Sequence, residues 1–191
     1  METTLNDKIS KIIECCLSEK DSINPIRIAK TVMHMSFINM HGVEHHFLDG
    51  AAFLTAMRNA GVDFDLLEAL TDLSKQALKM PGAMCGYWGV CGSTASVGSA
   101  LAILHGTGPL SSNEYYKDNM EYTSKAISAM AKIGGPRCCK RNAFISILTA
   151  IDFVAEKYRI TLQKEPIFCE FSKQNSQCLT TKCPFYPHQN L

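Results

Sequence analysis

The residues best suited to chemistry are the cysteines, nine in a chain of 191. Three of them close the sequence as Cys169-(8)-Cys178-(4)-Cys183-Pro184, within fifteen positions of chain that carries no helical or alternating apolar pattern. A segment without a core of its own is ordered cheaply by a metal, because thiolate–metal bonds replace the missing burial. The spacing is not the paired C-x2-C of zinc ribbons. Cys-Pro occurs among iron–sulfur ligands, and such clusters accept irregular ligand spacing. The tail triad is therefore expected to ligate a four-iron cluster, with zinc as the alternative. The fourth ligand is expected from Cys138-Cys139, which follow Gly134-Gly135-Pro136-Arg137 at the start of a helix. A helix N-terminus and the neighbouring Arg137, Lys140 and Arg141 all favour the thiolate form. Adjacent helical residues point about 100° apart, so only one of the two faces a given site.

A second pair, Cys85-(5)-Cys91, sits in Pro81-Gly82-Ala83-Met84-Cys85-Gly86-Tyr87-Trp88-Gly89-Val90-Cys91-Gly92. Gly86, Gly89 and Gly92 permit close backbone approach to a ligand, and a loop of this kind opening a helix offers free N–H groups to an anion or a sulfide. Neither G-x-G-x-x-G nor the lysine-containing phosphate loop is present, so thiol chemistry ranks above nucleotide binding. Cys85 and Cys91 are the candidate reactive thiols. His41, His45 and His46 cluster around Glu44 without forming H-E-x-x-H; His41 and His45, four apart, share a helix face and are held as proton donors or cofactor contacts. Cys16 lies on an apolar stripe and, with Cys15, reads as core.

The elements that must position these groups are helices. Leu5, Ile9, Ile12, Ile13, Cys16 and Leu17 recur at helical spacing. Further helices are expected through Ile28, Val32 and Met35, over about 43–59, after an Asp63 cap through Leu78, over about 93–104, over about 113–133, and over about 137–158. Ala95, Gly98 and Ala102 give the helix over 93–104 a small-residue face. The fold class is all-α: a compact bundle of six to seven helices as one domain, 1–159 forming the core and 160–191 a cysteine-rich irregular tail folded back on it.

Balanced charge, 19 basic against 18 acidic residues, gives no footprint for nucleic acid. The segment from Met80 to Asn113 has no Asp, Glu, Lys or Arg, yet it is too interrupted by Gly and polar residues to span a membrane. The first residues, Met1 to Lys8, lack the basic and apolar regions of a signal peptide. A cytoplasmic, reducing location is expected, where structural disulfides are rare, and an odd cysteine count suits metal or redox chemistry better than a paired framework.

From about Val43 to Pro184 the chain resembles an uncharacterised family of small cysteine-rich archaeal and bacterial proteins that also occurs fused to methyltransferase-like domains. The matching elements are Pro81 to Gly92, Pro136-Arg137-Cys138-Cys139, and Cys169…Cys178…Cys183-Pro184-Phe185. That resemblance implies an accessory partnership with a redox or methyltransferase protein, and no activity. Over about Pro81 to Gly106 the chain is also similar to the redox-active helical family named for C-G-C-A-x-x-G-C-C, from which it departs in lacking a C-G-C run. The expected function is metal or iron–sulfur binding with redox or sulfur-related chemistry on a small or sulfur-containing substrate, as an oxidoreductase or sulfur-transfer enzyme. The alternatives are a structural-zinc accessory module and a metal-free thiol–disulfide protein.

Overall fold

The computed structural model describes residues 3–187, so the outermost residues of the expected domain lie outside the described part. Eight α-helices and no strands occur among the described residues, as the all-α expectation requires: α1 Leu5–Ser18, α2 Pro25–Met33, α3 His45–Asn59, α4 Leu66–Ala77, α5 Met84–Tyr87, α6 Gly92–Leu104, α7 Glu114–Ala131 and α8 Cys139–Tyr158. No helix is long and apolar enough to cross a membrane among the described residues.

Local chemistry sets the helix ends. Thr4 and Asp7 close a capping box on α1, and Asn24 caps α2, whose first residue is Pro25. The cap of α4 is Asp65, not Asp63: its Oδ1 accepts from the Glu68 N–H at 2.8 Å. The last helix begins two residues later than expected, because Cys138 is its N-cap and accepts the Arg141 N–H on Sγ at 3.4 Å. Within the glycine-rich segment the single turn α5 forms, which periodicity over four residues does not reveal.

The core is built around α3, buried at every position from His45 to Met57 and packed by α1, α2, α4, α6 and α8. A helix apolar on all sides belongs inside the bundle. The closest approach is between α3 and α6: the Gly50 N–H donates to Ser96 Oγ at 2.9 Å, and a Cβ on Gly50 would stand 2.6 Å from the Ser96 carbonyl oxygen. Gly50→Ala is therefore expected to destabilise the fold by about 3 kcal/mol, read as a lower denaturant midpoint with an unchanged slope. The small face of α6 meets α7, where a Cβ on Gly98 would lie 3.1 Å from Asn119 Oδ1. Ser146 on α8 joins three elements, its Oγ at 2.6 Å from the Tyr122 hydroxyl and donating to the Ser93 carbonyl at 3.1 Å.

After α8 the chain runs back across the bundle. The Gln163 N–H donates to the Ile23 carbonyl, Glu170 pairs with Lys30 on α2 and with His34, the C-cap of α2, and Phe185 packs edge-on against Phe144, with ring centroids 5.4 Å apart. The Cys169 N–H donates to the Phe185 carbonyl at 2.7 Å, closing the tail into a loop.

Candidate functional site

All nine cysteines are free thiols, and seven of them meet at two adjoining cavities where α8 begins. Cys138, Cys169, Cys178 and Cys183 line one small cavity between the tail and α8, with Arg141, Phe144 and Asn175 in its wall. The sulfurs there receive polar hydrogens. The Arg141 N–H and Asn175 Nδ2 donate to Cys138 at 3.4 and 3.6 Å, and the Thr180 N–H donates to Cys178 at 3.3 Å. Thr180, at φ 49°, is one of three non-glycine residues with left-handed backbone among the described residues. Among the described residues, no three His, Cys, Asp or Glu groups converge closely enough to hold one ion.

The second cavity lies on the opposite side of Cys138. An inner chamber of about 90 Å³ is lined by His41, His45, His46, Cys85, Cys91, Cys138 and Cys139, among others; His41 precedes α3, which begins at His45, so the two histidines do not share a helix face. An outer chamber of about 280 Å³ shares Cys85, Cys91, Arg137 and Asn142 with it, and carries Gly86 and Gly89 on one wall and Ile127 and Met130 on another. Asn142 Nδ2 donates to Cys91 Sγ at 3.4 Å. Gly92 is held to glycine by His46, whose ring occupies the place of a Cβ. The adjacent cysteines differ in reach: Cys138 lines both the tail cavity and the inner chamber, while Cys139 lines the inner chamber alone. Cys16 is buried in the core and Cys15 is half-buried beside it.

The expected thiolate character of Cys138 and Cys139 is reversed. Burial pushes Cys139 up to about 12, against a hydrogen bond from the Gly42 backbone. Burial also raises Cys138, over the opposing Arg141 N–H and charge, and raises Cys91 and Cys169. Desolvation of the charged form outweighs one helix end and its cations. Without metal these groups are protonated thiols, and any metal must displace the protons.

Asp49 and Asn175 escaped the reading of the sequence, and Lys140 entered it only as a cation beside Cys138 and Cys139. Asp49 is fully buried on α3, one turn past His45, and neither carboxylate oxygen has a hydrogen-bond partner; His45 Nδ1 stands 3.7 Å away. Lys140 is 1 % exposed, its Nζ unbonded and 4.9 Å from the Phe171 ring centroid. Burial lowers Lys140 to about 8, with the Asp49 charge pulling the other way. Asp49 had a signal, a lone acid within Phe47-Leu48-Asp49-Gly50-Ala51-Ala52-Phe53. Asn175, which joins His41 Nε2 at 3.2 Å to Cys138, had none.

A family model matches residues 12–186, a span that contains every residue of both cavities. The chain belongs to the family of unknown function DUF5714. No curated protein and no solved structure matches it. For this DUF5714 chain the two cavities therefore carry the functional argument.

One pH response follows from His46. Burial holds its imidazole below the ordinary 6.5, so below about pH 6.5 the unfolded chain takes up a proton that the fold refuses. Stability is expected to fall as pH drops from 7 towards the folded value, as ~1 proton taken up per chain unfolded. His46→Asn should flatten that part of the stability–pH curve.

Proposed function

We propose that the chain is an iron–sulfur protein whose four-iron cluster is held by Cys138, Cys169, Cys178 and Cys183, with redox or sulfur-related chemistry at Cys85 and Cys91. The observation that carries this is the gathering of four thiols, from two separate parts of the chain, around one cavity. Ligands to a single zinc must meet about 2.3 Å from one point; cluster thiolates bind different irons and stand apart around them. Four thiols around one cavity match the four-cysteine ligand set of such a cluster. The N–H groups directed at Cys138 and Cys178 support it as well, since hydrogen bonds to ligand sulfur tune such a cluster.

When bound, the cluster supplies one-electron transfer. The chain's own residues do the rest. Asn142 steadies the Cys91 sulfur, and the half-buried Cys85 and Cys91 face the chamber where a sulfur-containing substrate would lie. Nine free thiols fit a reducing cytoplasm, and the resemblance to chains fused to methyltransferase-like domains points to a redox or methyltransferase partner. The test is anaerobic purification followed by visible and electron paramagnetic resonance spectroscopy. A brown protein with a dithionite-bleachable band supports the reading, and a colourless iron-free protein overturns it.

A further inference from the structure

The surface around the mouth of the outer chamber carries a charge pattern that neither cavity uses. From Tyr122 to Ile151 the chain has no Asp or Glu, yet it holds Lys125, Lys132, Arg137, Lys140 and Arg141. Three of these are committed within the fold. Lys125 pairs with Glu121 and Glu156, Lys140 is buried, and Arg141 Nη2 donates to the Gly134 and Pro136 carbonyls. Lys132, the C-cap of α7, and Arg137 are exposed. Neither has a carboxylate partner among the described residues. Arg137 lines the outer chamber, and Lys132 directly follows Ala131 of its wall.

A second observation at the same mouth is aromatic. Tyr87 and Trp88, 84 % and 64 % exposed, stand between Gly86 and Gly89 of the chamber wall, and Trp88 is the sole tryptophan of the chain. They belong to the Met80–Asn113 segment, which brings no charge of its own. Adjacent large rings left in water form an uncovered patch, and Trp, Tyr and Arg are the side chains that most often anchor a protein interface. Arg141 lines both this chamber and the cavity of the four cysteines, so the mouth stands one side chain away from that cavity.

We propose that this face docks the acidic surface of a small one-electron carrier protein, with carboxylates at Lys132 and Arg137 and an apolar side chain on Tyr87 and Trp88. The inference rests on the iron–sulfur reading above and names its partner. One electron passes in each encounter, the reduced carrier being oxidised and the loaded chain reduced, with no bond made or broken. An acid-free face with unpaired cations attracts carboxylates and turns basic surfaces away. Two such cations are too few to grip a phosphate backbone, which engages several at once, or an anionic membrane, which takes about four or more. A patch of this size suits a transient electron-transfer complex, which buries less than about 1,200 Å².

The test is anaerobic calorimetric titration of the full chain with a purified acidic ferredoxin, with polyglutamate and single-stranded oligothymidine as comparators. Saturable one-to-one binding with Kd on the order of 10 μM at low salt is expected, weakened at least about tenfold between about 20 and 500 mM salt. The exposed substitutions Lys132→Glu with Arg137→Glu, and Trp88→Ala alone, should each weaken binding at least about tenfold with the circular dichroism of the wild type. Lys20→Glu, on the exposed link between α1 and α2, should change it less than about twofold. Absence of saturation, unchanged affinity in either variant, polyglutamate bound as tightly as the carrier, or oligothymidine bound more tightly overturns the proposal. Iron and sulfide measured on the same sample separate the two readings. A loaded chain that ignores the carrier removes this inference alone, and an iron-free chain that still binds it removes only the cluster.

Discussion

Cys138→Ser is expected to lose nearly all bound iron and sulfide, while Cys139→Ser, one residue along the same helix, keeps both. The difference comes from the start of α8. Cys138 is the N-cap and lines the cavity of Cys169, Cys178 and Cys183 as well as the inner chamber, whereas Cys139 opens the helix and lines only the chamber of Cys85 and Cys91. Serine keeps the size of the side chain and removes the soft thiolate that iron needs. Each of Cys169→Ser, Cys178→Ser and Cys183→Ser should behave like Cys138→Ser, with at least about tenfold less iron per chain. Loss of metal also removes what orders the irregular tail, so these variants should be cut by protease in the tail far faster than wild type. If Cys139→Ser loses iron and Cys138→Ser keeps it, the ligand assignment at α8 is wrong.

Lys140→Met is expected to destabilise the protein by about 1–2 kcal/mol. Methionine keeps the length of the side chain but removes the ammonium over the Phe171 ring, and the fully buried Asp49 then loses the Lys140 charge and keeps only His45 Nδ1, 3.7 Å away. Adding Asp49→Asn to that variant is expected to restore most of the loss, because a pair removed together leaves no isolated charge. Asp49→Asn alone leaves Lys140 unopposed and should fall between the two. Denaturant midpoints of the four proteins form the double-mutant cycle. A Lys140→Met protein as stable as wild type would show that the two groups do not compensate one another across α3 and α8.

The helices were readable because burial follows period. The apolar stripes of α1 and α4 and the small face of α6 are each visible in a single stretch of chain. What failed was decided by distances of one or two residues: Asp65 rather than Asp63 as cap, and Cys138 as the cap of α8 rather than a residue within it. The tail triad stood out through spacing alone. Its meeting with Cys138 required knowing where α8 starts. The sign of the thiol shifts was misjudged for a related reason. Helix ends and cations can be read locally, but the burial that outweighs them at Cys139 comes from the packing of other elements. Asp49 and Lys140 lie 91 positions apart in the chain, and only the packing of α3 on α8 makes them neighbours.

The most direct test of the central claim is the content of iron, acid-labile sulfide and zinc in the anaerobically purified full chain, with Cys183→Ser beside it. About four iron and four sulfide per wild-type chain, and almost none in the variant, is the predicted result. About one zinc per chain with no sulfide would contradict it.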